Sequence, residues 1–125
     1  MWSTRAGQPP VYALKADFFR VLGHPARVRL LQVLREGEQT VGALQDALEL
    51  DSSGTSQHLA ALRRQGLVET RRQGTTIFYK LKDPRVAELL KVAREILTAN
   101  LAETRELLDG LREPPREAAA KRQKR

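Results

Sequence analysis

The stretch SSGTSQHLAALRRQGL, residues 52–67, begins with hydroxyl side chains and a glycine and carries two arginines near its end. In a helix turning by ~100° per residue, one narrow face carries Thr55, Leu59, Leu62 and Gly66. The opposite face carries Ser53, Gln57, Ala60 and Arg64, flanked by Ser56 and Arg63 on one side and His58 on the other. Asp51 or Ser52 can cap the N-terminus. The sequence therefore predicts a helix that is buried along a narrow seam and open along a polar face.

Three helices are predicted ahead of this stretch. PVYALKADFFRVLG (10–23) has apolar residues at helical spacing and ends on a glycine. HPARVRLLQVLREG (24–37) places Pro25 in the first turn, where its missing N–H costs little. Thr40 can cap VGALQDALEL (41–50), whose leucines recur at helical spacing. The last of these three helices forms a helix–turn–helix pattern with residues 52–67.

A hairpin and a long helix are predicted after it. LVETRRQGTTIFYKL (67–81) alternates apolar and polar residues on two short strands, with the turn at Gln73-Gly74. Asp83-Pro84 begins a helix that extends to about Gly110. The predicted fold is mainly α with a small β-hairpin, in the order α-α-α-α-β-β-α of a winged helix-turn-helix.

The composition limits the domain organisation and the function classes. A chain of 125 residues forms one domain, with or without tails. Residues 1–9 are expected to be a flexible N-terminus, 10–112 the folded domain, and 113–125 a basic, disordered tail containing two prolines and a charge run. The chain has no cysteine, no signal-peptide core and no apolar run of the ~20 residues that span a bilayer. We expect a cytoplasmic protein.

The net charge of +7 is unevenly distributed. Residues 51–82 carry six basic and two acidic groups, and residues 114–125 carry five and one. The segment between them, 83–113, carries five basic and seven acidic groups. Because the basic residues of 51–82 lie on an ordered pattern, that block indicates a polyanionic partner.

The second helix of a helix–turn–helix enters the major groove and presents its N-terminal residues to base edges. Here Ser53, Ser56 and Gln57 occupy that position, and glutamine can form two hydrogen bonds with adenine. The arginines that follow, and those of the hairpin, suit phosphates or the minor groove. The predicted DNA contacts are Ser53, Gly54, Ser56, Gln57, His58, Arg63, Arg64, Arg71, Arg72, Gln73 and Thr75.

The motifs FFRVLGHPARVRLLQVL, TSQHLAALRRQGLV and RRQGTTIFYKL, in this order and spacing, resemble the ArsR/SmtB group of bacterial winged-helix repressors. The resemblance covers roughly residues 15–94. It implies a homodimer joined through the first and last helices, an inverted-repeat operator on double-stranded DNA, and an inducer, where one exists, that lowers operator affinity. The apolar stripes that fit this interface consist of Val11, Leu14, Phe18, Leu90, Leu97, Leu101 and Leu108.

The chain departs from this family's pattern at its sensing sites. Many members bind metals through cysteines on the third helix or through His and Asp on the last helix. Here the third helix has no cysteine, the predicted last helix has no histidine, and the two histidines are His24 and His58. We expect His24 to cap a helix, whereas His58 suits either contact with a phosphate or sugar or a packed or solvated position. No metal or other cofactor is expected, and the inducer is unknown. Gly54 also departs, and as a weak helix former it is expected to loosen the first turn.

Three other functions are alternatives to a sequence-specific regulator. An enzyme is disfavoured, since the sequence has no histidine–carboxylate pairing and no phosphate-binding glycine loop. A protein-interaction module would not require basic residues on both the helix and the hairpin. The sequence alone excludes non-specific architectural DNA binding only weakly. The residues therefore favour a sequence-specific DNA-binding regulator, and the resemblance to the ArsR/SmtB group implies a repressor that is associated with the nucleoid when bound to DNA.

Overall fold

The computed structural model describes residues 7–49 and 51–111, and the predicted tail 113–125 and the first six residues lie outside them. The described residues form five helices and three strands. The helices are α1 (Val11–Leu22), α2 (Pro25–Arg35), α3 (Val41–Leu48), α4 (Ser52–Arg64) and α5 (Arg85–Leu111). The strands are β1 (Gln39–Thr40), β2 (Val68–Gln73) and β3 (Thr76–Leu81). The chain divides into two compact units, with the boundary between Glu88 and Leu89.

Side-chain caps start three of the helices at the predicted residues. His24 Nδ1 accepts a hydrogen bond from the Ala26 amide at 3.1 Å, directly ahead of Pro25. Thr40 Oγ1 accepts from the Ala43 amide at 3.1 Å at the start of α3. Asp51, rather than Ser52, caps α4. Each cap satisfies an amide that has no partner within the helix, which explains why local sequence located these boundaries.

The core of the first unit is built from leucines of α2, α3 and α4. Five of them are completely excluded from solvent: Leu30, Leu31, Leu44, Leu59 and Leu62. Leu67 and Val68, at the root of the hairpin, are buried beside them. The buried set thus joins the helix–turn–helix to the base of β2, and this packing fixes where α4 and the hairpin lie in the first unit.

The sheet contains a strand that the sequence did not reveal. Its order is β1-β3-β2 and all pairs are antiparallel. β1 has only two residues, Gln39 opposite Tyr79 and Thr40 opposite Phe78, which is too short to show an alternating pattern. The predicted two-stranded hairpin is therefore the outer part of a three-stranded sheet.

The hairpin turn lies one residue later than predicted. Gln73 still pairs with Thr76, so Gly74 and Thr75 form the loop. Gly74 has a φ of 66°, the left-handed conformation that two-residue hairpin loops favour at their first position. The turn therefore leaves Gln73 on the strand, two positions along from Arg71.

The last helix begins after Asp83, as predicted. The Asp83 carboxylate accepts hydrogen bonds from the Arg85 side chain and from the Arg85 amide, and these bonds lower the pKa of Asp83 to about 2. Val86 of this first turn is buried. None of the described helices combines the length and apolar character needed to cross a membrane.

Candidate nucleic-acid interface

The polar side of α4 is open to solvent along its length. Ser53, Ser56 and Gln57 are exposed near its N-terminus, while Leu59 and Leu62 on the other side are completely buried. Thr55, also buried, donates its hydroxyl hydrogen to the Asp51 carbonyl oxygen at 2.9 Å. Ala61 is buried as well, so the buried side of α4 is wider than the seam that the helical wheel predicts, while the face that carries Gln57 is exposed.

Gly54 has a specific role in the first turn of α4. Its amide donates to Asp51 Oδ1 at 2.7 Å, and a Cβ at this position would lie 2.9 Å from that oxygen. The missing side chain thus allows a short capping bond. This bond closes the first turn of α4 at the residue that is expected to loosen it.

Two arginines extend the polar face toward the C-terminus of α4. Arg63 and Arg64 are exposed, and neither forms an ion pair with another described residue. Their charges remain available to an external anion.

The two arginines of the hairpin are in different situations. Arg71 pairs with Glu38, with 2.8 Å between Nη2 and Oε1, and its Nη1 donates to Gln73 Oε1 at 3.0 Å. Arg72 follows it on the strand, so its side chain points to the other face of the sheet. No hydrogen bond or ion pair joins Arg72 to any other residue that the structure describes. Of the two, Arg72 has the uncompensated charge, and Thr75 lies exposed near it in the loop.

Glu38 and Phe78 were missed by the sequence analysis. The Phe78 ring lies beneath the Arg71 guanidinium, 4.5 Å from its carbon to the ring centroid. Glu38 is 33 residues away from Arg71 along the chain, so no local pattern marks the pair. The hydrogen bond from Arg71 holds the pKa of Glu38 below its usual value, and the same bond raises the pKa of Arg71.

His58 occupies a packed position between helices. Arg27 Nε donates to His58 Nδ1 at 3.1 Å, and Arg27 Nη1 donates to the Val21 carbonyl oxygen at 3.1 Å. The ring of His24 lies 4.3 Å from that of His58, centroid to centroid. Desolvation, followed by the charges of His24 and Arg27, lowers the pKa of His58. Of the roles left open for His58, this geometry favours the packed one, since Nδ1 is already engaged.

This lowered pKa predicts a pH-dependent stability. Below the ordinary pKa of 6.5 the unfolded chain takes up a proton at His58 before the folded chain does, so stability falls as pH drops through that range. His58→Gln removes the titrating group and keeps an acceptor for Arg27. We expect its melting temperature to change less between pH 7.5 and pH 5.5 (assay values, roughly bracketing the titration) than that of the natural chain.

The matched control is His24→Asn, which retains a capping acceptor and leaves His58 in place. It should keep most of the pH dependence. An equal slope in the His58→Gln variant and the natural chain would refute the assignment to His58.

Each unit carries an exposed apolar stripe. On α1, Val11 and Leu14 are more than half exposed, and Phe18 is half-buried. On α5, Leu97, Leu101 and Leu108 are also more than half exposed, and Leu90 is half-buried. The stripes also include large side chains not singled out from the sequence: Tyr12, Phe19, Ile96 and Leu107. Apolar patches of this extent are typical of association surfaces.

The structure brings no metal-binding group together within residues 7–49 and 51–111. No three His, Cys, Asp or Glu side chains of this region are arranged to hold an ion. The whole sequence also lacks cysteine.

The structure contains a helix–turn–helix whose second helix is packed into the core on one side and exposed on its polar side, and a basic hairpin follows it. This arrangement defines a winged helix-turn-helix transcriptional regulator. Comparison with known proteins agrees. A family model described as "Bacterial regulatory protein, arsR family" matches residues 24–70. The chain is 45% identical over 104 residues to the HTH-type transcriptional regulator Rv0081 of Mycobacterium tuberculosis, covering 82% of this chain and 91% of that one. The chain belongs to the arsR family of bacterial regulatory proteins.

Further similarities support this membership. The crystal structure of Rv0081 matches with a TM-score of 0.73 and covers 78% of this chain and 98% of its own. The biofilm growth-associated repressor of Agrobacterium fabrum is 38% identical over 84 residues, covering 67% of this chain and 72% of its own. The solution structure of the homodimeric winged helix-turn-helix DNA-binding domain of Mb0332 from Mycobacterium bovis has a TM-score of 0.69 at 29% identity, covering 78% and 94%. These proteins are named as regulators, in agreement with the prediction that the chain is not an enzyme.

Proposed function

We propose that this protein represses transcription by binding an inverted-repeat operator as a homodimer, with α4 in the major groove. The observation that carries the proposal is the polar face of α4, which is exposed from Ser53 to Arg64 while the other side of the helix is packed into the core. A helix anchored along one side and polar along the other suits insertion into a groove.

Base recognition falls to the N-terminal part of this face. Ser53, Ser56 and Gln57 are short enough for the helix backbone to approach the base edges closely. Gln57 can form a bidentate pair with adenine, and serine can hydrogen-bond with several bases. Because Gly54 has no side chain, no large group stands at this end of the helix.

Phosphate binding falls to the arginines without an internal partner. Arg63 and Arg64 extend from the end of α4, and Arg72 extends from the hairpin. Gln73 lies on the face of Arg71, which engages its Oε1. Its amide NH2 group and the hydroxyl of Thr75 in the loop can form hydrogen bonds at the backbone or the minor groove. This division separates the residues that read sequence from those that hold the DNA.

Dimerisation is supported by the apolar stripes on α1 and α5 and by the homodimeric state named for the Mb0332 domain. A two-fold dimer presents two copies of α4 to two half-sites, which explains an inverted repeat. Repression is proposed because the Agrobacterium relative is named as a repressor. In our proposal the protein lacks the usual metal and thiol sensing sites of the family, since the chain has no cysteine and no histidine on α3 or α5.

The experiment that tests the proposal compares Gln57→Ala with Arg72→Ala on operator and random duplexes. Gln57→Ala should cost about 1–3 kcal/mol on the operator and relax preference at one base pair, because it removes a base-reading hydrogen bond. Arg72→Ala should weaken binding to both duplexes and reduce the salt slope by about one unit, because it removes a phosphate contact. Binding isotherms at several salt concentrations measure both effects.

Ala60→Ser is a suitable control, since it adds a polar group further along the exposed face without removing a proposed contact. If Gln57→Ala kept base preference while Arg72→Ala changed it, the roles of helix and hairpin would be reversed. If neither duplex were preferred by the natural chain, the protein would be a non-specific architectural binder.

A further inference from the structure

The Arg71 side chain crosses the width of the small sheet. Arg71 lies on β2, Phe78 lies directly opposite it on β3, and Thr40 of β1 lies opposite Phe78. The guanidinium passes over the Phe78 ring at 4.5 Å and reaches Glu38, which precedes β1. Its Nε lies 2.9 Å from Glu38 Oε2, and its Nη2 lies 2.8 Å from Oε1. One side chain thus ties the hairpin to the segment that leads out of α2.

Most of the hydrogen-bond donors of Arg71 are engaged within the protein, and its charge is compensated there, so little of either remains for DNA. Its Nε and Nη2 bind the carboxylate, its Nη1 binds Gln73, and one face of the guanidinium covers an aromatic ring. Two N–H groups of the five in a guanidinium remain, and the charge of Glu38 cancels that of Arg71. Arg72 has no such hydrogen bonds and no compensating carboxylate among the described residues.

The outer half of the hairpin has few other supports. Val68 at its root is buried, but residues 71–77 are all exposed. A two-stranded hairpin without a packed face is marginally stable. Isolated surface ion pairs contribute little, but a bidentate arginine–carboxylate pair within a network is the arrangement that does contribute.

We propose that Arg71 is a positioning residue: with Glu38 and Phe78 it forms a strap that fixes the hairpin, so that Arg72 and the loop reach the DNA. The inference rests on the proposed function of DNA binding. It assigns to Glu38, an acidic residue in a basic region, a positive role in binding a polyanion.

The test uses Glu38→Gln, Arg71→Met and the double variant in the full chain. Amide hydrogen exchange of β2 and β3 without DNA reports the order of the hairpin directly. Each single variant should speed exchange about 3–10-fold and weaken operator binding by a similar factor, as expected for a networked bidentate pair. The double variant should be no worse than either single one, because both remove the same bridge.

Glu69→Gln is the matched control. It removes the same charge from the same sheet, where Glu69 pairs with Lys80 at 3.5 Å, but it leaves the strap intact. It should leave the exchange rates unchanged and should not weaken operator binding.

A different role for Glu38 predicts the opposite result. If Glu38 merely neutralises a phosphate-binding arginine, Glu38→Gln will raise DNA affinity and steepen the salt slope by about one unit. Such a gain, additive double-variant effects or unchanged exchange would each overturn the strap. Exchange is measured without DNA, so failure of the strap is distinguishable from failure of DNA binding by the natural chain.

Discussion

Leu101→Asp is expected to convert the proposed dimer into monomers and to abolish tight operator binding. Leu101 is 69% exposed in the single chain, on the stripe of α5 that has no partner among the described residues. An unpaired charge forced into an interface costs about 3–5 kcal/mol, and two-fold symmetry introduces it twice. Dimer dissociation should therefore rise by more than about a hundredfold. Sedimentation velocity and operator titration measure the two consequences.

Ala102→Asp is the control for this change. It introduces the same charge on the same helix, ~100° from Leu101 and ~120–140° from the other named residues of the α5 stripe. Ala102 is exposed, so this variant should remain dimeric and bind the operator. A monomeric Leu101→Asp variant that still bound the operator tightly would contradict the requirement for a dimer.

Leu62→Ala is expected to lower the free energy of unfolding by about 2–5 kcal/mol, the usual cost of a leucine-sized cavity in a packed core. Leu62 is completely buried on the seam of α4. In this variant Leu59 and Ala61 remain as the buried apolar residues of α4. Urea denaturation at a fixed protein concentration measures the loss, because dimerisation also contributes to apparent stability.

Gln57→Ala serves as the control on the same helix. Its side chain is exposed, so its effect on unfolding should stay within about 0.5 kcal/mol. The two variants separate folding from recognition, because Leu62→Ala should lose stability whereas Gln57→Ala should lose base preference. A cost below about 1 kcal/mol for Leu62→Ala would mean that α4 is not anchored by its buried seam.

Much of the fold could be predicted because its signals are local. Caps at His24, Thr40 and Asp51 act within three residues of the amide they satisfy, so the starts of α2, α3 and α4 are visible in the sequence. The seam of α4 follows from helical periodicity alone. The candidate DNA-facing side of the helix is the complement of that seam, and it was located for the same reason.

The hairpin could be predicted only in part. Alternation located its two strands, but β1 is too short for any pattern and exists because Gln39 and Thr40 pair with β3. The turn shifted by one residue because the register of β2 with β3 places Gln73 opposite Thr76. Register depends on which residues meet across the sheet, and no single strand carries that information.

The sequence by itself determined the order of the five helices and of the two hairpin strands β2 and β3, the exposed polar face of α4 and the absence of thiol chemistry. Only the tertiary structure decided which polar side chains are already engaged. Arg71 and Arg72 are alike in sequence, yet Arg71 meets Glu38 from 33 residues away and Arg72 does not. His58 likewise meets Arg27 from 31 residues away. A charge or a histidine is recognised by type in a sequence, whereas its availability depends on partners that folding brings within hydrogen-bonding distance.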